Sequence, residues 1–181
     1  MVEMKYAGAM IKISEALHEK KISLIADKIK AKGKKIKVIL IAGPSSSGKT
    51  TFSKRLSIQL MVNGIRPIML SLDNYFVNRE NTPRDEKGEL DFESIEALDI
   101  ATFSDNILRL LKGEEVEIPK FSFETGQRYY DGEKLKINKN NVIIVEGIHG
   151  LNPKLTQLLP PEALFKIFVS ALTSISIDNH N

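Results

Sequence analysis

Three short runs of the chain have continuous apolar centres, "KVILIA" from Lys37, "RPIMLSLD" from Arg66 and "NNVIIVEG" from Asn140, and a fourth, "ALFKIFVS" from Ala163, is broken only by Lys166. Runs that do not alternate with polar residues predict strands covered on both faces. Between the first two lies "GKTTFSKRLSIQLMVNG", with Phe52, Leu56 and Leu60 four apart, which predicts a helix closed by Asn63-Gly64. Upstream, Ile13, Ala16, Leu17, Leu24, Ile25 and Ile29 recur among lysines, predicting one or two amphipathic helices that end at Gly33. Strands alternating with helices predict an α/β fold built on a parallel sheet with helices on both faces.

About seventy residues separate the second and third predicted strands, far more than a crossover needs. They open with a polar loop, "NRENTPRDEKGELD". A helix from Ala101 to Lys112 follows, with Asp99 as its N-cap and Gly113 as its stop. "VEIPKFSF" and "EKLKIN" then predict a hairpin around "ETGQRYYDG". An insertion of this size at strand ends points to substrate apparatus. The expected organisation is an N-terminal helical segment, 1–36, packed on or leading into a domain spanning 37–181.

Composition narrows the classes. The 181 residues suit one domain, and the absence of cysteine excludes disulfides, thiolate metal sites and a cysteine nucleophile. No run reaches a membrane span, and charge breaks up the N-terminus where a signal peptide would need an apolar core. A cytoplasmic location is therefore the default expectation. Residues 1–37 hold ten lysines against four acids, so the remainder is net negative. That basic segment has no arginine and Tyr6 as its one aromatic, so a solvated helix face is expected and a nucleic acid partner is not. Oligomeric state is not legible.

Gly43-Pro44-Ser45-Ser46-Ser47-Gly48-Lys49-Thr50 fits GxxxxGK[ST], the P-loop pattern, between a strand and a helix as the motif requires. Its glycines let main-chain N–H groups approach phosphate oxygens at the positive end of the following helix. Lys49 supplies charge to the β and γ phosphates of ATP and the Thr50 hydroxyl a ligand for Mg²⁺; Ser45, Ser46, Ser47 and Thr51 complete the nucleotide set. The fold class sharpens to a P-loop NTPase-type parallel sheet with a helix and β-hairpin insertion for the substrate. Asp73 and Glu146 each follow an apolar strand, and in such a sheet the carboxyl ends of the strands share one crevice. Lys49, Asp73 and Glu146 are thus expected to converge, with Glu146 orienting Mg²⁺.

Taken in order, "GPSSSGKTTFSKRL", "SLDNYF", "GELDFESIEALD", "LLKGEEVEIPKFSF" and "VIIVEGI" resemble the uridine kinase and phosphoribulokinase family, in its uridine kinase-like branch, from about Lys37 to Val169. The resemblance implies that Asp73, in Asp73-Asn74-Tyr75-Phe76, meets the sugar hydroxyl and the metal as base or orienter. It implies Phe76 beside the substrate, and Asp91 holding ribose hydroxyls; an N-cap is the other reading of Asp91. In the nucleoside-binding stretch Phe121 stands for the family's tyrosine, Ser122 for its aspartate and Gly126 for its histidine, while Arg128 is kept. Arg128 is read as a substrate or phosphate contact, or else as a surface arginine. These departures bear on which base is accepted, not on phosphoryl transfer. The family's arginine-rich lid would follow the fourth strand, yet no arginine follows Arg128, so a lid removed with the rest of a longer chain is expected.

Together these readings point to an ATP- and Mg²⁺-dependent kinase acting on a hydroxyl of a nucleoside or related sugar-bearing small molecule. Asp73 and Lys49 are its catalytic candidates, and Thr50, Glu146 and Asp73 its metal candidates. A P-loop GTPase is disfavoured because no NKxD element occurs. A nucleotide-binding module without transfer activity is the other alternative. His149 lacks an evident partner and reads as a loop or packing residue.

Overall fold

The computed structural model describes residues 2–170, with side chains from Tyr6 onward; the expected lid region and the final residues lie outside these. The elements in chain order are α1 (Val2–Ala31), β1 (Val38–Ala42), α2 (Lys49–Val62), β2 (Arg66–Ser71), α3 (Ile100–Leu111), β3 (Val116–Glu117), β4 (Lys120–Ser122), β5 (Gln127–Tyr129), β6 (Lys134–Leu135), β7 (Asn141–Glu146), α4 (Pro153–Thr156) and β8 (Leu164–Phe168). The main sheet runs β2-β7-β1-β8, every neighbour parallel. β1 and β7 are the central strands, and their continuous apolar sequence is buried on both faces. β2 and β8 are edges, which explains why Arg66 and Lys166 can sit within their runs.

Each face of the sheet has its own cluster. Val38, Leu40, Ile143 and Val145 pack with Phe103, Ile107 and Leu110 of α3. Ile39, Ile41, Val142 and Ile144 pack with Phe52, Leu56 and Leu60 of α2 and with Ile22, Ala26 and Ile29 of α1. At roughly 1.5–3 kcal/mol per fully buried large side chain, these two layers dominate the folding free energy. α2 ends in a Schellman closure, with Gly64 at φ 78° and the Ile65 amide donating to Leu60 O at 3.0 Å.

α1 is one unbroken helix, within the sequence reading, but its burial differs: of the six expected apolar positions Ile29 is buried and Ile25 packs against the cluster, while Ile13, Leu17 and Leu24 are exposed. For Ile13 and Leu17 length contributes, since 30 residues span about 45 Å and the 14-residue α2 about 21 Å. Leu24, between the buried Ile22 and Ala26, lies on the opposite side of the helix. The hairpin also differs in detail. Val116–Glu117 pairs with Lys134–Leu135 as expected, but Lys120–Ser122 pairs separately with Gln127–Tyr129. Pro119 lies between the two ladders and has no amide to continue them.

Asp99 caps α3, its Oδ1 accepting the Thr102 amide at 2.9 Å and its Oδ2 accepting Arg128 Nη1 at 2.7 Å. Burial alone would raise this carboxyl, but the Thr102 amide, Arg128 and the Thr102 hydroxyl outweigh it and hold the group below its ordinary value. The depressed acid stabilises the fold above the unfolded carboxylate pKa of about 3.9 and loses that contribution as pH falls through the lower folded value. Asp99→Ala is expected to lower the unfolding free energy by about 1–3 kcal/mol near neutrality, seen as a lower urea midpoint at unchanged slope. The difference from wild type should shrink below about pH 4.

Candidate active site

The loop joining β1 to α2 has the strain and closeness that a phosphate cradle needs. Ser46 and Gly48 both take positive φ, 58° and 83°. A Cβ on Gly43 would lie 2.1 Å from Val169 O and 2.7 Å from Ser47 Oγ, so only glycine fits there. Gly48 gives α2 no side-chain cap, and no acid occupies its first turn, which leaves the first amides and the positive helix end for an anion. Lys49 bends back over the loop, its Nζ donating to Gly43 O at 2.9 Å and Pro44 O at 2.7 Å. Ser47 Oγ is buried with no hydrogen-bond partner among the described residues.

Strand register brings the acids to this loop. Ile41 of β1, Glu146 of β7 and Ser71 of β2 lie side by side, so Gly43 and Asp73 leave the sheet at the same end. Glu146 Oε1 accepts the Thr50 hydroxyl at 3.0 Å and its Oε2 accepts the Ser53 hydroxyl at 3.1 Å. Ser45, Lys49, Thr50, Ser71, Asp73 and Glu146 line one cleft of about 370 Å³. The Asp73 carboxyl is pushed up from its ordinary value by burial and then by Glu146, with Lys49 pulling the other way. Two carboxylates and a hydroxyl form a hard oxygen set of the kind that holds Mg²⁺ together with water and phosphate oxygens, so the residues fit that ion.

Part of the cleft wall is phenyl. Phe76, Phe92 and Phe123 line it, and Phe76 meets the other two with ring centroids 5.4 and 5.8 Å away. Phe121 supports this wall from behind, 5.1 Å from Phe123 and packed against the core, rather than lining the cleft. Glu93 lines the cleft, whereas the neighbouring Asp91 does not: its Oδ1 accepts the amides of Glu93 and Ser94 at 2.9 and 3.0 Å. Arg128 likewise stays out of the cleft, paired with Asp99. Gly126 takes φ 69°, and a Cβ there would lie 2.5 Å from Arg79 Nε. Arg79 fills the space beside this turn and donates to Phe123 O at 2.8 Å.

Among the expected nucleotide residues, Ser45, Lys49 and Thr50 face the cleft; Gly43, Ser46, Ser47, Gly48 and Thr51 shape the loop and helix start around it. Sequence reasoning missed Ser53, Phe92, Glu93 and Phe123. Phe92 and Glu93 were adjacent to a residue already singled out, and Ser53 sits one helical turn after Lys49, so a helical reading of the motif could have found it. His149 is absent from the cleft lining, and its Nε2 is buried without a hydrogen-bond partner among the described residues.

The sequence profile of the Phosphoribulokinase / Uridine kinase family matches residues 38–178. The chain belongs to this family. Its similarity to individual members is moderate: it is 34% identical over 129 residues to a uridine kinase of Schizosaccharomyces pombe, covering 70% of this chain and 28% of that protein. It is 30% identical over 116 residues to a uridine kinase of Leuconostoc citreum, covering 64% of this chain and 54% of that protein. The chain thus spans between about a quarter and just over half the length of these relatives. Among solved structures, "a Possible Uridine Kinase from Bacillus stearothermophilus" superposes with a TM-score of 0.64 at 23% identity, over 82% of this chain and 79% of that one. That likeness establishes the parallel-sheet kinase fold, and the family match places the P-loop, Asp73 and Glu146 within the matched segment. No described helix is long and apolar enough to cross a membrane.

Proposed function

We propose that this chain carries the catalytic core of an ATP-dependent kinase that phosphorylates a hydroxyl of a nucleoside-like acceptor. The observation that carries the reading is the meeting of Lys49, Thr50, Asp73 and Glu146 on one cleft from three separate segments. Loop amides and Lys49 bind the triphosphate and draw charge from the γ-phosphoryl group as it transfers. Asp73 aligns the acceptor hydroxyl and accepts its proton while the oxygen bonds to phosphorus and the bond to the ADP oxygen breaks. Thr50, Glu146 and Asp73 would hold Mg²⁺, which would neutralise phosphate charge there. In the metal-free cleft, burial and Glu146 raise the Asp73 carboxyl above its ordinary value. The working compartment on this reading is the cytoplasm, and the partner is a small molecule.

The phenyl wall and Glu93 define the acceptor end. Phe76, Phe92 and Phe123 offer faces and edges to a flat base, and Glu93 offers a carboxylate to a sugar diol. Asp91, bound to its own turn, is left the task of holding Phe92 and Glu93 in place. Without the tyrosine and histidine of the family pattern, base recognition rests on stacking, which distinguishes bases weakly. Incubation of the full-length protein with ATP, Mg²⁺ and a nucleoside panel should give monophosphates, with kcat/KM spread over less than about a hundredfold across bases. Glu93→Gln is expected to raise the acceptor KM about tenfold or more while sparing ATP affinity. No monophosphate from any nucleoside would remove the acceptor assignment, and ADP release with a non-nucleoside sugar would redirect it.

A further inference from the structure

α1 carries two apolar stripes, and from Ile22 onward its own domain covers one of them, while Ile11 on that same side is 60% exposed. Ile22, Ala26 and Ile29 are buried on α2 and the sheet. Tyr6, Met10, Ile13, Leu17 and Leu24 are each between 50% and 67% exposed. At 100° per residue these five occupy a sector about 60° wide, roughly 150° around the helix from the buried set. The exposed stripe is therefore separate from the packed face, not its rim.

Its spacing is that of a coiled-coil seam: steps of four, three and four residues, then seven to Leu24, with Lys20 at the intervening seam position. Such a seam is satisfied by another helix, because knobs at this period enter holes made by four residues of a facing helix. Five of the six flanking positions are small, Ala7, Ala9, Ser14, Ala16 and Ser23, which lets a partner backbone come close; the sixth is Lys21. Most of the seam also lies on the part of α1 that stands off the domain. Every residue from Tyr6 to His18 is exposed, and the ties to α2 start where His18 and Glu19 meet Arg55 and where Glu19 meets Gln59. A stretch of about a dozen residues is marginal as a free helix in water, so a partner would hold it.

We infer that α1 pairs antiparallel with α1 of a second copy of this chain. Lys20 sets the direction. In a parallel pair it would face its own copy at a seam position, two ammonium groups together. In an antiparallel pair centred near Glu15, Tyr6 meets Leu24, Ile13 meets Leu17, and the Lys20 stem lies over Met10 with its charge in water. The arrangement is twofold and closes on itself. Five half-exposed large side chains offer roughly 100 Å² each, so the pair hides on the order of 1,000 Å², the low end for a specific interface. A dissociation constant of tens of micromolar, about −6 kcal/mol, is the expected strength.

Sedimentation velocity from about 1 to about 200 µM, a range that brackets such a constant, should show monomer giving way to dimer. Ile13→Glu combined with Leu17→Glu should keep the chain monomeric throughout, with unchanged thermal midpoint and unchanged ATP binding. Because the chain has no cysteine, orientation can be read directly by oxidising Ile13→Cys and Leu17→Cys proteins, separately and mixed. Mixed crosslinks outrunning both self-crosslinks support the pairing. Monomer at every concentration, dimer untouched by the double glutamate variant, or dominant self-crosslinks would each overturn it.

Discussion

Asp73→Asn is expected to cut kcat by about 10² to 10⁴ while leaving ATP affinity within about threefold. The asparagine keeps the shape of the side chain at the cleft but cannot take the acceptor proton. Stability separates this loss from misfolding. The Asp73 carboxyl is raised in the folded chain by burial and by Glu146, so its charged form is disfavoured on folding. Removing that charge should leave the thermal midpoint near neutral pH unchanged or slightly higher. In the metal-free protein the Asp73 carboxyl should titrate above the ordinary aspartate value of about 3.9, and Mg²⁺ should move it down. A variant that transfers phosphate within tenfold of wild type would mean that another group accepts the proton.

What the sequence made legible, and what it hid, follows from how far each decision reaches along the chain. The P-loop is local: a β1 run, two glycines, Lys49 and Thr50 determine strand, turn and helix start within a dozen residues. Asp73 and Glu146 were legible one step further out, because a parallel sheet sends the carboxyl ends of its strands to one side. The acceptor side was harder. Asp91 and Glu93 are both carboxylates in "LDFES", and which of them enters the cleft is decided by a turn in which Asp91 binds the two amides after it. Arg128 offered charge at a suggestive position, but its partner is Asp99, whose capping of α3 is itself a tertiary commitment. For α1 the pattern held two apolar stripes, and nothing in the pattern says which one the domain covers. That choice belongs to the length of α2 and to where it lies.

The other large effect concerns Lys49. Lys49→Ala is expected to lower kcat/KM by about 10² to 10³, some 2.7–4 kcal/mol, the range for losing one aligned donor to developing charge. Two contributions should be separable. Nζ ties Gly43 O and Pro44 O together in this structure, so truncation loosens the loop as well as removing a cation. Loosening alone would weaken ADP and ATP by similar factors, because both use the loop amides. Loss of the charge should weaken ATP more than ADP, since the added γ-phosphate is where the ammonium acts. Titration calorimetry with both nucleotides therefore reads the balance. Lys49→Arg should not restore turnover: the compact ammonium fits between two carbonyl oxygens at 2.7 and 2.9 Å, and the planar guanidinium cannot reproduce that position. Equal weakening of ADP and ATP with kcat nearly intact would reduce Lys49 to a loop strap and move charge stabilisation to the helix terminus and the bound ion.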